Sequence, residues 1–96
     1  MAFPFDVKRL IEICRQNDVS KVGVFGSMAR GEANDQSDID LLVEFSRRGK
    51  SLWDIVGLER QLAEALGRKV DLVTEGSLSP YLRDRILADL KVIYEA

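Results

Sequence analysis

The stretch from Val24 to Phe45, VFGSMARGEANDQSDIDLLVEF, decides the fold. It starts in an apolar run, breaks at Gly26 and Ser27, crosses ten residues from Met28 to Ser37, and resumes as a second apolar run that contains Asp38 and Asp40. From Asp38 to Phe45 the side chains alternate. Ile39, Leu41, Val43 and Phe45 fall on one face of a strand, and Asp38, Asp40, Leu42 and Glu44 on the other. That spacing puts both aspartates on the same side with Cα atoms about 6.5 to 7 Å apart. Like charges so disposed weaken a sheet unless a counter-charge joins them.

Outward from this stretch the chain reads as a short series of elements. Upstream, Asp6 is an N-cap, and Val7, Leu10, Ile11 and Cys14 form the one-sided stripe of a helix that fades near Asn17. Lys21 to Phe25 is a β-prone run ending in the Gly26 turn, with a short helical turn over Ser27 to Arg30. Glu32 to Ser37 is a polar loop, and Ser46 to Lys50 a mobile basic one. Ser51 with Asp54 forms a capping box for a helix lined by Leu52, Ile55, Val56, Leu62, Ala63 and Leu66 and stopped by Gly67. Lys69 to Val73 makes a third strand, with Asp71 on the face opposite Val70 and Leu72. Ser79 caps a last helix with Pro80 at its first position and Leu82, Ile86, Leu87 and Leu90 along it. The tail from Val92 to Tyr94 either completes this helix or adds a fourth, edge strand. Residues 1–96 therefore read as one α/β (α+β) domain, a small mixed β-sheet of three to four strands flanked by helices.

Composition narrows the chemistry. The chain has 96 residues, with 14 Lys and Arg against 16 Asp and Glu, so it lacks the basic excess that drives binding to long nucleic acid. It contains no His, which removes imidazole bases, Ser-His-Asp catalysis and His-ligated zinc together. The single Cys14 excludes an internal disulfide and, with no leader-like or spanning apolar run, points to a cytoplasmic protein that does not enter a membrane. Catalysis must rest on carboxylates, hydroxyls and basic groups.

Those groups are present in a suggestive order. Asp38 and Asp40 can converge on hard cations, and if the third strand pairs beside the second, Asp71 joins them. Three acids together should push at least one pKa upward until a cation neutralises it. Gly26 admits backbone angles closed to other residues and lets an anion approach, Ser27 opens a helical turn, and Arg30 can add positive charge to a bound phosphate. Each part has a plainer reading when taken singly. Asp-x-Asp is then a solvated strand face, Gly-Ser an ordinary turn, and Arg30 a surface residue or the partner of a nearby acid.

Taken together, GSMARG over Gly26 to Gly31 and SDIDLLV over Ser37 to Val43 resemble the minimal nucleotidyltransferases of the DNA polymerase β superfamily. The likeness runs on through KVDLV to the SPYLRDRIL helix, about three quarters of the chain. The resemblance implies a polymerase β-like nucleotidyltransferase core, two Mg²⁺ ions held by Asp38, Asp40 and Asp71, and NTP phosphates, with ATP the expected nucleotide, at Gly26 and Ser27. Members of this short type are similar to the antitoxin half of toxin-antitoxin pairs whose partner is a HEPN ribonuclease adenylylated on tyrosine.

The expected activity is thus transfer of AMP to a partner protein. Two alternatives stand beside it: an antitoxin that works by occlusion without turnover, and a subunit that modifies small molecules. A partner must supply the acceptor surface, as hetero-oligomer or homodimer. The Ser46 to Lys50 loop and Trp53 are candidate contacts, although Trp53 at a helix start also reads as a partly buried anchor.

Overall fold

The computed structural model describes residues 3–34 and 36–96, so Asp35 of the predicted polar loop lies outside the described residues, as do Met1 and Ala2. The chain runs α1 (Val7–Gln16), β1 (Val19–Phe25), α2 (Ser27–Arg30), β2 (Ile39–Phe45), α3 (Leu52–Leu66), β3 (Val70–Thr74), a 3-10 turn (Glu75–Ser77), α4 (Pro80–Asp89) and β4 (Lys91–Glu95). The tail therefore resolves as the edge strand rather than a helix extension.

The four strands form one sheet in the order β3-β2-β1-β4. β1 is antiparallel to both β2 and β4, whereas β2 and β3 are parallel. Parallel strands cannot be joined by a hairpin, so α3 is the crossover that carries the chain back to the start of β3. Local signals set its ends. Ser51 Oγ accepts from Asp54 N, Asp54 Oδ2 accepts from Ser51 N at 2.8 Å, and Gly67 ends the helix at φ 66°.

One sheet face carries the core. Val22, Val24, Ile39, Leu41, Val43, Val70 and Leu72 are buried against Leu10, Ile13 and Cys14 of α1 and Leu58 and Leu62 of α3. The alternation that buries Ile39, Leu41 and Val43 turns Asp40 and Leu42 to the opposite face. There Leu42 is buried too, because α4 lies across that face with Leu87 and Leu90 beside Gly23 and Leu42. Gly23 lets α4 settle this low, since a Cβ there would stand 2.6 Å from Leu90 Cδ1. α4 buries no residue fully, and Leu82 and Leu87 remain exposed although its apolar pattern had marked them for packing.

The loop after β2 is held at both ends. Asp18, the described non-glycine residue with positive φ (62°), accepts at its carbonyl from Ser46 N at 2.7 Å, and its carboxylate pairs with Lys50 Nζ at 3.0 Å. Lys50 also sits 5.8 Å from the Phe45 ring centroid. Arg47 and Arg48 are exposed. Among the described residues no helix is long and apolar enough to cross a membrane.

Both halves of the α3 capping box are made, so Ser51→Ala should cost about 1 kcal/mol. For a chain of this length that is a fall in Tm of about 4 to 8 °C, measurable by thermal unfolding with circular dichroism.

Candidate active site

The parallel register sets Asp40 directly opposite Asp71 across β2 and β3, one residue into each strand from its start. Asp38 precedes the first residue of β2. Both strands begin at this end of the sheet, so their first polar side chains are delivered to a common edge. The sheet thus brings all three predicted acids into one electrostatic neighbourhood. Asp40 has its pKa raised above the ordinary carboxylate value, first by desolvation, then by the charges of Asp71 and Asp38, with Arg30 acting the other way. Asp71 is exposed and Asp38 half exposed, its Oδ2 3.9 Å from Lys69 Nζ. Although α4 shares this sheet face, it leaves the acidic edge open.

Among the described residues no group of three or more Cys, Asp or Glu side chains stands in a geometry that could hold a metal ion as it is. Carboxylates with nothing positive between them repel, which favours splayed side chains. The donor set nevertheless fits a hard divalent cation: oxygen donors alone, on two neighbouring strands, with the pKa of one carboxyl raised by desolvation and by the charges of the other two. The lone cysteine takes no part, since burial lifts the Cys14 thiol to about 12 and leaves it unionised.

Gly26 forms the second wall. It lies between β1 and α2 at φ 72°, ψ −150°, and a Cβ built there would stand 2.4 Å from Asp40 Oδ2. Two constraints therefore select glycine: the backbone conformation and the carboxylate pressed against it. Ser27 is the first residue of α2, where the leading N–H groups have no intrahelical acceptor.

Arg30 is engaged more fully than the motif implied. Its Nε donates to Glu32 Oε2 at 2.9 Å and its Nη1 to Asp89 Oδ2 at 2.6 Å, and both contacts raise its pKa further. The reading of Arg30 as the partner of nearby acids is thus realised. Among the described residues two of its N–H donors are engaged, and a guanidinium has others to offer an anion. Asp89 had not been singled out, and nothing local could have done so, because it lies 59 residues from Arg30 in the chain.

The same is true of the α4 wall. Leu82, Arg85, Ile86 and Asp89 face Phe25, Gly26 and Arg30 across a cleft of about 250 Å³. A larger one of about 350 Å³ on the other side of α2 touches none of the three acids. Trp53 is not the partly buried anchor that its position invited. It is 82% exposed beside Leu52 at 71%, because the core-facing stripe of α3 runs from Ile55 through the buried Leu58 and Leu62. Lys50 is committed to Asp18 rather than free for phosphate.

Gly26→Ala should be more damaging than an average loop substitution, because strain at positive φ adds to the clash with Asp40. A loss of about 1 to 3 kcal/mol is expected from the backbone alone. Urea unfolding would measure it, and Gly31→Ala, at φ 74° and ψ 19° with open space around its Cβ, should show the milder cost of the left-handed region with no clash.

Comparison with known proteins agrees with this architecture. The nucleotidyltransferase domain family matches residues 7–93. The protein adenylyltransferase MntA of Thermococcus cleftensis is 39% identical over 79 residues, 82% of this chain and 79% of that protein. MJ0435 of Methanocaldococcus jannaschii is 48% identical over 80 residues, 83% of this chain and 85% of its own. Among solved structures, a chain of a toxin-antitoxin complex crystallised with AMP-PNP superposes with a TM-score of 0.83 at 27% identity, covering 95% of this chain and 74% of that one. A chain from the complex of tri-AMPylated Shewanella oneidensis HEPN toxin with MNT antitoxin gives 0.73 at 25%, covering 94% and 70%. Matched over nearly its whole length, the chain belongs to the nucleotidyltransferase domain family.

Proposed function

We propose that this chain is a protein adenylyltransferase that moves AMP from ATP onto a tyrosine hydroxyl of a HEPN-type toxin and thereby acts as its antitoxin. The observation that carries the reading is the β2/β3 register, which opposes Asp40 to Asp71, together with the glycine held against the Asp40 carboxylate. It is supported by the adenylyltransferase MntA relative and by the AMPylated toxin in the Shewanella neighbour.

Asp38, Asp40 and Asp71 are the residues that would hold two Mg²⁺ ions. When bound, such ions neutralise phosphate charge and act as Lewis acids in displacement at the α-phosphorus. The protein's own groups have separable tasks. The Gly26 turn admits the phosphate chain without a side chain in its path, and the first N–H groups of α2 with Ser27 Oγ donate to it. Arg30 offsets negative charge beside Asp40. Asp71, the open member of the acidic set, is the group from which a proton acceptor for the incoming hydroxyl is best drawn. The partial burial that desolvates Asp40 also strengthens the charge interactions made there.

The decisive experiment incubates the chain with Mg-ATP and a HEPN-type partner and weighs the partner by mass spectrometry. An increment of AMP is expected on a tyrosine, falling to background with Asp38→Asn plus Asp40→Asn. If the double variant still neutralises the toxin in cells while transferring nothing, occlusion is the mechanism and catalysis is not.

Stability offers an independent check. Asp40 titrates higher in the folded chain than in the unfolded one. Its charge therefore destabilises the fold above the raised pKa, and the penalty vanishes below the ordinary carboxylate range. Like charges across strands cost about 0.2 to 1 kcal/mol. Asp40→Asn in metal-free buffer at pH 7 should therefore raise Tm by about 1 to 8 °C for a domain of this size, a gain that closes as pH falls toward the carboxylate range. Mg-ATP should reverse the order of the two proteins, stabilising the wild type by about 2.7 kcal/mol at a hundredfold excess over Kd and the variant far less.

A further inference from the structure

The α4 wall carries a cation that the glycine-serine and aspartate motifs do not contain. Arg85 lines the cleft that Gly26 and Arg30 bound from the other side, three residues after Leu82 and four before Asp89, on the helix face turned to the phosphate turn. The nearby arginines are committed: Arg30 to Glu32 and Asp89, and Arg83 to Glu75 at 2.7 Å. The Arg85 guanidinium has no ion pair or hydrogen bond to any of the described residues. Leu82 and Ile86 line the same cleft, so apolar surface is present beside the aliphatic stem.

Charge balance gives the free arginine a purpose. On this side of the turn Arg30 contributes one positive charge against the two negative charges of Glu32 and Asp89, a net of −1 that would repel a polyphosphate. Arg85 brings the wall to neutrality, and among the described residues none of its donors is engaged. Its planar fork suits phosphate oxygens, which it can grip in pairs. The cleft and the acids meet at Gly26, which lines the one and touches the carboxylate of the other.

We infer that Arg85 is a phosphate-binding residue, contacting the polyphosphate end of the nucleotide from α4 while the Gly26 turn holds it from the sheet. The inference rests on the nucleotidyltransferase reading above.

Titration calorimetry on the full chain tests it with three probes: Mg-ATP, Mg-pyrophosphate and AMP. Arg85→Ala should weaken Mg-ATP and Mg-pyrophosphate alike by about 10- to 100-fold, the loss typical of a charged hydrogen-bonding group, and leave AMP within about twofold. Arg85→Lys should recover part of the loss, and Arg83→Ala should bind all three probes as the wild type does. Unchanged Mg-ATP and Mg-pyrophosphate binding in Arg85→Ala would overturn the inference. An equal loss for AMP would also overturn it, because the contact would then be to the base or ribose. A lowered Tm without weaker binding would assign Arg85 a structural role instead. A wild type that binds neither Mg-ATP nor Mg-pyrophosphate would remove the underlying function as well.

Discussion

Two carboxylates face each other across a parallel strand pair, and much of the molecule can be understood as what is needed to tolerate that. Asp40 and Asp71 are register partners, and Asp38 adds to the same field. The repulsion is confined to one end of the sheet because the strands that carry it are apolar on their other face, where Ile39, Leu41, Val43, Val70 and Leu72 pack beneath α1 and α3. A domain this small has a net stability of only several kcal/mol, so the dry face must carry nearly all of it while the wet face spends some. The division follows from the two-residue period of a strand: the residues that secure the core oblige their neighbours to point the other way.

Most of the local architecture was legible in the chain. Asp6, the Ser51 and Asp54 box, Gly67 and the Ser79-Pro80 start are all where their chemistry predicts, because caps depend on residues within one helical turn. The alternation from Ile39 to Phe45 was equally direct. Asp71 was legible only conditionally. Its face followed from Val70 and Leu72, but its meeting with Asp40 required strand adjacency, which no pattern inside either strand encodes. The docking of α4 lay further out of reach, since it depends on a glycine, Gly23, meeting Leu90 from the far end of the chain. Trp53 misled for a related reason: bulk argues for burial, yet the first turn of α3 extends past the surface that its later turns cover.

Relatives match most of the chain's length, and one four-stranded sheet is enough to bring the acids together. The three acids are gathered by strand register and one crossover helix, with no need of an enclosed cavity. The exposed Leu52, Trp53 and Tyr81 side chains leave apolar area uncovered.

The contact between Arg30 and Asp89 joins parts of the chain that form far apart in sequence. α2 is only four residues long and has little rigidity of its own, so its guanidinium is in effect moored to the end of α4, which runs straight into the edge strand β4. β4 in turn zips onto β1, the strand that ends in Gly26. The turn, the short helix, α4 and β4 therefore make a closed mechanical loop. Peeling away the last strand would slacken the Gly26 turn from two directions at once, so shortening the chain from that end should loosen that turn well before it unravels the core.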